Sequence, residues 1–209
     1  MAASGLRVWL ARHGETETNR AGVFCGHHET KLTSKGEEQA RALGKRLAAV
    51  PVTAVVTSDL SRALATAALA AEGRGLTPGV DPDWREIHYG AWEGRREAEI
   101  RKEDPAQYAL MRAESPDWLP PGGEGLAAVR SRMWAAFDRV IQAHKGGDVL
   151  VISHGTALSC LFAEAAGASP AHSLRFGTAN CGLSRLEVHG GKVYLALVND
   201  TTHLDGLGR

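Results

Sequence analysis

Two histidines and two arginines stand where predicted strands end or the following helix begins. Arg12-His13-Gly14 follows one short apolar run, Ser153-His154-Gly155 follows another, and Arg62 falls in the first turn of a predicted helix. Glycine lets the backbone turn sharply beside a ligand, and the arginine fork donates two hydrogen bonds to two oxygens. A single His-Gly is more often only a turn, but the combination predicts a receptor for a compact dianion such as a phosphoryl group.

The elements that must bring these residues together alternate between strands and helices. Apolar runs at 6–11, 53–57 and 149–152 predict strands, and runs at 182–188 and 192–198 predict a hairpin around His189-Gly190-Gly191. Periodic segments predict helices at 34–49, 60–71, 126–144 and 156–166. This alternation predicts an α/β fold of three αβα layers, with a mostly parallel sheet and one antiparallel strand.

In open α/β sheets, ligands bind outside the carboxyl ends of the strands. We therefore expect the histidines and arginines to project toward one rim of the sheet. The helix that begins near Thr156 should also aim its unpaired N–H groups at that rim. Gly-x4-Gly-Lys, the motif of P-loop nucleotide sites, does not occur in the sequence.

Several local boundaries follow from capping and breaking residues. Ser34-Lys35-Gly36-Glu37 matches a capping box, and Ser58 or Asp59 is suited to cap the helix that follows it. Residues 15–33 are polar and predict a loop. Residues 95–114 predict helix broken by Pro105.

Length and charge limit the classes of function. The 209 residues fit one domain over 1–209, and 24 basic residues balance 24 acidic ones. A net charge of zero argues against nucleic-acid partners and against a polybasic membrane anchor. No apolar run approaches the roughly 18 residues of a membrane span, and no signal peptide is recognisable. Three widely spaced cysteines predict no disulfide framework and favour a reducing cytoplasm.

Residues 11–17 read Ala-Arg-His-Gly-Glu-Thr-Glu, which resembles the signature of the histidine phosphatase superfamily. The superfamily includes the cofactor-dependent phosphoglycerate mutases, so the resemblance implies a phosphoglycerate mutase-like fold. Further blocks resemble the family in the family's order over nearly the whole chain: Ser58-Asp59-Leu60 with Arg62-Ala63, Arg85-Glu86-Ile87-His88-Tyr89-Gly90, and Ser153-His154-Gly155.

The resemblance implies a role for each matching residue. His13 would be the nucleophile that becomes phosphohistidine, and Arg12, Arg62 and His154 would hold the phosphoryl oxygens. Glu86 would protonate the leaving oxygen and then deprotonate water. Neither a metal nor a cofactor is implied, because the arginines supply positive charge. Substrate contacts are assigned to Asn19, Cys25, Gly26, His88, Tyr89, Gly155 and Thr156.

His27-His28, together with His88, could suggest a metal site. Adjacent side chains diverge, however, and neither a His pair at i,i+4 spacing nor a nearby aspartate cluster supports zinc. We therefore predict no metal.

Three functions stay open at this point: a phosphomonoester hydrolase, a mutase, and an inactive module that binds phosphorylated ligands. Mutases of the family commonly carry Arg where this chain has Ile87, and they contain a longer insertion. These departures favour hydrolysis of a small-molecule phosphate ester, closest to broad-specificity and α-ribazole-type phosphatases. A lid-like insertion around 95–125 should set specificity, with Tyr108, Trp118 and Leu119 as candidates for contacting a ring-bearing group. The natural substrate and a possible homodimer are left open.

Overall fold

A computed structural model describes residues 5–207, and within that range six strands form one sheet. The strands are β1 (Leu6–Arg12), β2 (Val52–Thr57), β3 (Gly79–Val80), β4 (Gly147–Ser153), β5 (Leu183–His189) and β6 (Lys192–Asp200). Their order across the sheet is β3-β2-β4-β1-β5-β6. Only β5 runs against the others, so the predicted mostly parallel sheet with one antiparallel strand is confirmed.

Helices cover both faces of this sheet. They are α1 (Glu17–Ala21), α2 (Ser34–Arg46), α3 (Ser61–Ala70), α4 (Glu97–Glu103), α5 (Pro105–Arg112), α6 (Leu126–Ala143) and α7 (Gly155–Ala165). Side chains of a strand alternate between faces. In β1, Val8 and Leu10 pack with α6 and α7, whereas Trp9 and Ala11 pack with α2 and α3. The three-layer αβα architecture is therefore confirmed.

The helix starts differ from the predicted ones at two places. The cap of α2 is Thr33, not Ser34, and its Oγ1 accepts from the Gly36 N–H at 3.0 Å. Thr33 also donates to the Glu15 carboxylate at 2.8 Å, so it ties α2 to the loop after β1. α3 has no side-chain cap, because Ser58 and Asp59 form hydrogen bonds elsewhere.

The segment 15–33, predicted as a loop, contains the short helix α1. Thr16 caps it through a reciprocal pair of hydrogen bonds with Asn19, each 3.2 Å long. The sequence did not reveal this helix, because none of its residues is buried and it therefore has no apolar periodicity.

Within residues 5–207, no helix combines the length and apolar character needed to cross a bilayer. Cys25, Cys160 and Cys181 are free thiols, and the last two are buried.

Candidate active site

The loops after β1, β2 and β4 meet at one rim of the sheet. Arg12 pairs with Ser153 in the parallel register, and the His13 N–H donates to the Ser153 carbonyl at 3.0 Å. The Ser58 N–H donates to the Ile152 carbonyl at 3.3 Å. A cavity of about 470 Å³ opens at this rim. Ten of the predicted site residues line it: Arg12, His13, Asn19, Cys25, Gly26, Arg62, Glu86, Tyr89, Gly155 and Thr156.

The His13 imidazole is buried, with 3% of the residue exposed, and its tautomer is fixed. Its Nδ1 lies 2.8 Å from the Gly14 carbonyl oxygen. A carbonyl can only accept, so Nδ1 carries the proton and Nε2 carries the lone pair. Burial, followed by the positive charges of Arg12 and Arg62, lowers the His13 pKa well below its ordinary value. The ring is therefore neutral at neutral pH, as a nucleophile requires.

The turn that carries His13 is fixed by close packing against α2 and α3. A Cβ on Gly14 would lie 2.3 Å from the Gly36 carbonyl oxygen, so the two backbones meet directly. The Gly14 N–H also donates to Thr66 Oγ1 at 3.0 Å. A larger residue at either glycine would displace His13 from its position.

Arg62, only 1% exposed, holds its guanidinium in a fixed place beside His13. Its Nε donates to His13 Nε2 at 3.3 Å, and its Nη atoms donate to the carbonyls of Gly26 at 2.6 Å and His28 at 3.0 Å. Gly26 has φ +51°, and a Cβ there would lie 2.1 Å from a carboxylate oxygen of Glu93. Only glycine fits this turn, which places the carbonyl that anchors Arg62.

Two buried nitrogens near His13 have no hydrogen-bond partner among the described residues. Arg12 donates through Nη1 to the Thr178 carbonyl at 2.9 Å, but its Nε is unpartnered. The His154 ring lies 5.1 Å from the His13 ring, with Nε2 bonded to Ser58 Oγ and Nδ1 unpartnered. Burial lowers the His154 pKa well below its usual range. Buried polar groups are ordinarily paired, so these two nitrogens are the donors beside His13 that the described residues leave without a partner.

Glu86 lies at the N-terminus of α7, with 9% of the residue exposed. One carboxylate oxygen accepts from the N–H groups of Ile87 at 2.9 Å and Ala157 at 3.0 Å, and the other accepts from Thr156 at 3.1 Å. In α7, the N–H groups of Thr156 and Ala157 are therefore paired with Glu86, and the expectation that they reach the rim unpaired is wrong. They hold the Glu86 carboxylate in one orientation at the cavity wall.

Asn180 is a site residue that sequence reasoning missed. Its Nδ2 donates to the His13 carbonyl at 2.9 Å and to Asn19 Oδ1 at 3.1 Å. Because Asn19 Oδ1 also accepts from Thr16, the Asn19 amide has its N–H₂ group left for a ligand. Asn180 belongs to the segment 166–182, where no periodic pattern or motif singles out a residue.

The same segment supplies much of the uncharged cavity wall. Leu174, Phe176 and Thr178 line the cavity together with Phe24. Phe24 stands directly before the predicted contact Cys25 and could have been found from that position. The other three could not, because only the tertiary fold brings them to Arg12.

Other predicted contacts lie outside the cavity wall. His88 packs its ring 4.8 Å from that of His27 and holds Nε2 3.6 Å from a Glu93 oxygen. Within 95–125, Glu97 lines the cavity, whereas Trp118 is buried beside Trp92. The lid assigned to that segment stays a prediction, and Trp118 acts in packing.

Among residues 5–207, no group of three or more His, Cys, Asp or Glu side chains is arranged to hold a metal ion. His27 Nε2 donates instead to the Glu86 carbonyl at 2.8 Å. Burial lowers the pKa of His27.

Comparison with known proteins gives a consistent result. Residues 8–201 match the model of the histidine phosphatase superfamily, branch 1. The chain is 35% identical to a probable phosphoglycerate mutase GpmB of Serratia proteamaculans over 96% of this chain and 95% of that protein. It is 37% identical to an adenosylcobalamin/α-ribazole phosphatase of Salmonella typhimurium over 76% of this chain and 79% of that protein. The solved structure of Bacillus stearothermophilus YhfR superimposes with a TM-score of 0.92 at 34% identity, covering 96% of this chain and all of that one.

Proposed function

This chain belongs to the histidine phosphatase superfamily, and we propose that it hydrolyses small phosphate monoesters through a phosphohistidine on His13. The observation that carries the proposal is the His13 ring. It is buried and neutral, its Nδ1 proton is held by Gly14, and its Nε2 lone pair faces the Arg62 Nε at 3.3 Å.

The arginines and His154 form the receptor for the phosphoryl group. The unpartnered Arg12 Nε and His154 Nδ1 are suited to donate to its oxygens, next to the fixed guanidinium of Arg62. Donors aimed at the charge that develops during transfer lower the barrier most when they are already in position. These side chains need no metal to supply positive charge.

The reaction proceeds in two steps. First, Nε2 of His13 attacks phosphorus, the ester P–O bond breaks, and a protonated Glu86 gives its proton to the leaving oxygen. Water then attacks the phosphohistidine, its proton passes to the Glu86 carboxylate, and the P–N bond breaks to release inorganic phosphate. The three N–H donors on Glu86 favour one carboxyl orientation for both proton transfers.

The charge of the cavity favours hydrolysis over a mutase reaction. A mutase must also hold the carboxylate of phosphoglycerate and the second phosphate of a bisphosphate primer. In the wall formed by the described residues, the arginines are Arg12 and Arg62, and the proposed phosphoryl site uses both. Ile87, at the position where mutases commonly carry arginine, is fully buried.

The test is turnover of phenyl phosphate by the whole chain, with and without EDTA. We expect turnover unchanged by EDTA and a phosphohistidine on His13 after rapid quenching. His13→Ala should abolish both, whereas His144→Ala, at the far end of α6, should abolish neither. Undiminished turnover in His13→Ala would overturn the assignment.

The same assay separates the alternatives. Isomerisation of phosphoglycerate that depends on a bisphosphate primer would identify a mutase instead. Tight binding of phosphate esters without turnover would identify an inactive binding module.

A further inference from the structure

The cavity has opposite charges at its two ends. His13 and Arg62 are almost fully buried at its inner end, whereas Glu97 is exposed on the first turn of α4 and lines its outer end. Apart from Arg12, His13 and Arg62, the wall formed by the described residues contains no basic side chain. Among the side chains that line the cavity, a leaving group that projects outward from the phosphoryl site therefore meets the Glu97 carboxylate and no basic group.

Glu97 is held at this position by two sets of contacts. The Phe24 N–H donates to the Arg95 carbonyl at 2.9 Å, and Val23 forms an antiparallel bridge with Arg96, so the segment before Glu97 pairs with the cavity wall. The Tyr108 hydroxyl donates to a Glu97 oxygen at 2.6 Å. The carboxylate is thus anchored from α5 on one side and from the wall on the other.

The wall between the two ends combines apolar rings with polar side chains such as Asn19, Ser159 and Thr178. Phe24 packs against Tyr89 with ring centroids 5.0 Å apart, and Phe176 packs against Phe162 at 6.5 Å. Leu174, which also lines the cavity, packs on the same core. These rings offer a contact surface for the body of a leaving group, and the charge at the outer end then acts on the substituent that the group carries.

We propose that Glu97 is a specificity-determining residue, and this proposal rests on the proposed function. It selects phosphate monoesters whose leaving alcohol carries a neutral or cationic group, and it rejects anionic leaving groups. The attraction acts on substrate binding, since Glu97 lies away from the reacting atoms, so it changes KM more than kcat.

The experiment compares two esters of equal shape and opposite charge, 4-(aminomethyl)phenyl phosphate and 4-carboxyphenyl phosphate, with phenyl phosphate as the neutral reference. The ratio of kcat/KM for the cationic ester to that for the anionic ester is compared between each variant and the wild type, because the intrinsic reactivities of the two esters cancel in that comparison. We expect Glu97→Gln to lower this ratio by about threefold to fivefold, which is the size of effect that exposed ion pairs have. Glu97→Lys should lower the ratio by about tenfold or more, mainly through KM.

Glu38→Lys provides the matched control, because Glu38 is an exposed glutamate on α2 that does not line the cavity. It should leave the ratio at the wild-type value. A ratio that stays constant in Glu97→Lys, or that changes equally in Glu38→Lys, would overturn the specificity role. Failure of the wild-type chain to turn over phenyl phosphate would instead overturn the proposed function.

Discussion

Ser58 Oγ lies 2.7 Å from Nε2 of His154, and both residues are fully buried. Ser58 follows β2 and His154 follows β4, so this contact joins two neighbouring strand ends. The Ser58 hydroxyl also accepts from the Leu60 N–H at 3.4 Å. We expect it to direct its own proton at Nε2, which leaves Nδ1–H of His154 to donate to a phosphoryl oxygen.

Ser58→Ala should therefore lower kcat by about tenfold, the effect of losing one buried hydrogen bond in the transition state. Ser58→Thr keeps the hydroxyl and should recover most of this activity. Nitrogen NMR of the His154 ring should report a changed tautomer in Ser58→Ala only.

Ser153→Ala is the matched control, because Ser153 is also fully buried and donates to the Trp84 carbonyl at 2.7 Å. It should lose stability without changing the His154 tautomer. An unchanged His154 nitrogen spectrum in Ser58→Ala would contradict the assigned role.

Glu86→Gln should lower kcat by about 10² to 10⁴, the usual contribution of a general acid or base. With an aryl phosphate the leaving phenolate needs little protonation, so the second step should slow more than the first. Quenched-flow measurements should then show a burst of one phenol per chain and accumulation of phosphohistidine.

A loss of the burst together with the steady-state rate would show instead that Glu86 acts before the phosphoenzyme forms. Thermal unfolding of the same variant controls for its bonds to the start of α7, since loss of fold would also reduce both phases.

The stability of the protein should fall as pH drops below about 6.5. Burial lowers the pKa of both His13 and His154 in the folded state, so the folded protein stays unprotonated at pH values where the unfolded chain binds a proton on each. Each histidine then reduces the free energy of unfolding by up to about 1.4 kcal/mol per pH unit.

Urea unfolding at pH 7, 6 and 5 measures this slope. His154→Asn should flatten it, because this substitution removes one of the two buried imidazoles. A free energy of unfolding that rises from pH 7 to pH 5 would contradict the burial of neutral imidazoles.

Cys25 should be the one thiol that iodoacetamide labels in the native protein. Cys25 is partly exposed in the cavity wall, whereas Cys160 and Cys181 are fully buried. Burial raises the pKa of Cys160 to about 12 and that of Cys181 further, which suppresses the reactive thiolate of both. Mass spectrometry should find one adduct per chain, and the adduct should block turnover by filling the cavity.

Inorganic phosphate should slow this labelling, and Cys25→Ser should remove it while leaving two thiols reactive after denaturation. Labelling of Cys160 or Cys181 before unfolding would show that the core opens more readily than the structure indicates.

Strand ends and the motif residues next to them could be predicted from the sequence. Continuous apolar runs mark buried parallel strands, and parallel strands in one sheet must end at the same rim. That rule alone brings His13 and His154 together, and their rings indeed lie 5.1 Å apart. The same rule places Arg62 at this rim, because the helix that contains Arg62 starts just after β2 ends.

Contacts between distant segments could not be predicted in this way. Ser58 and Asp59 have the composition of helix caps, but they bond to His154 and Arg85 across the fold. Asn180 reaches the His13 carbonyl from 167 residues further along the chain. A local pattern carries no information about such partners.

The amino-acid sequence by itself therefore determined the family, since the motif residues beside the strand ends can be recognised without knowledge of the fold. The tertiary structure alone decided the charge and shape of the cavity. Glu97 and Phe176 reach it from two segments far apart in the sequence, and Glu86 turns toward it because α7 offers N–H groups to its carboxylate. The physical reason is that a motif consists of residues close together in the sequence. The lining of the cavity depends instead on which helices, strands and loops the core packs side by side.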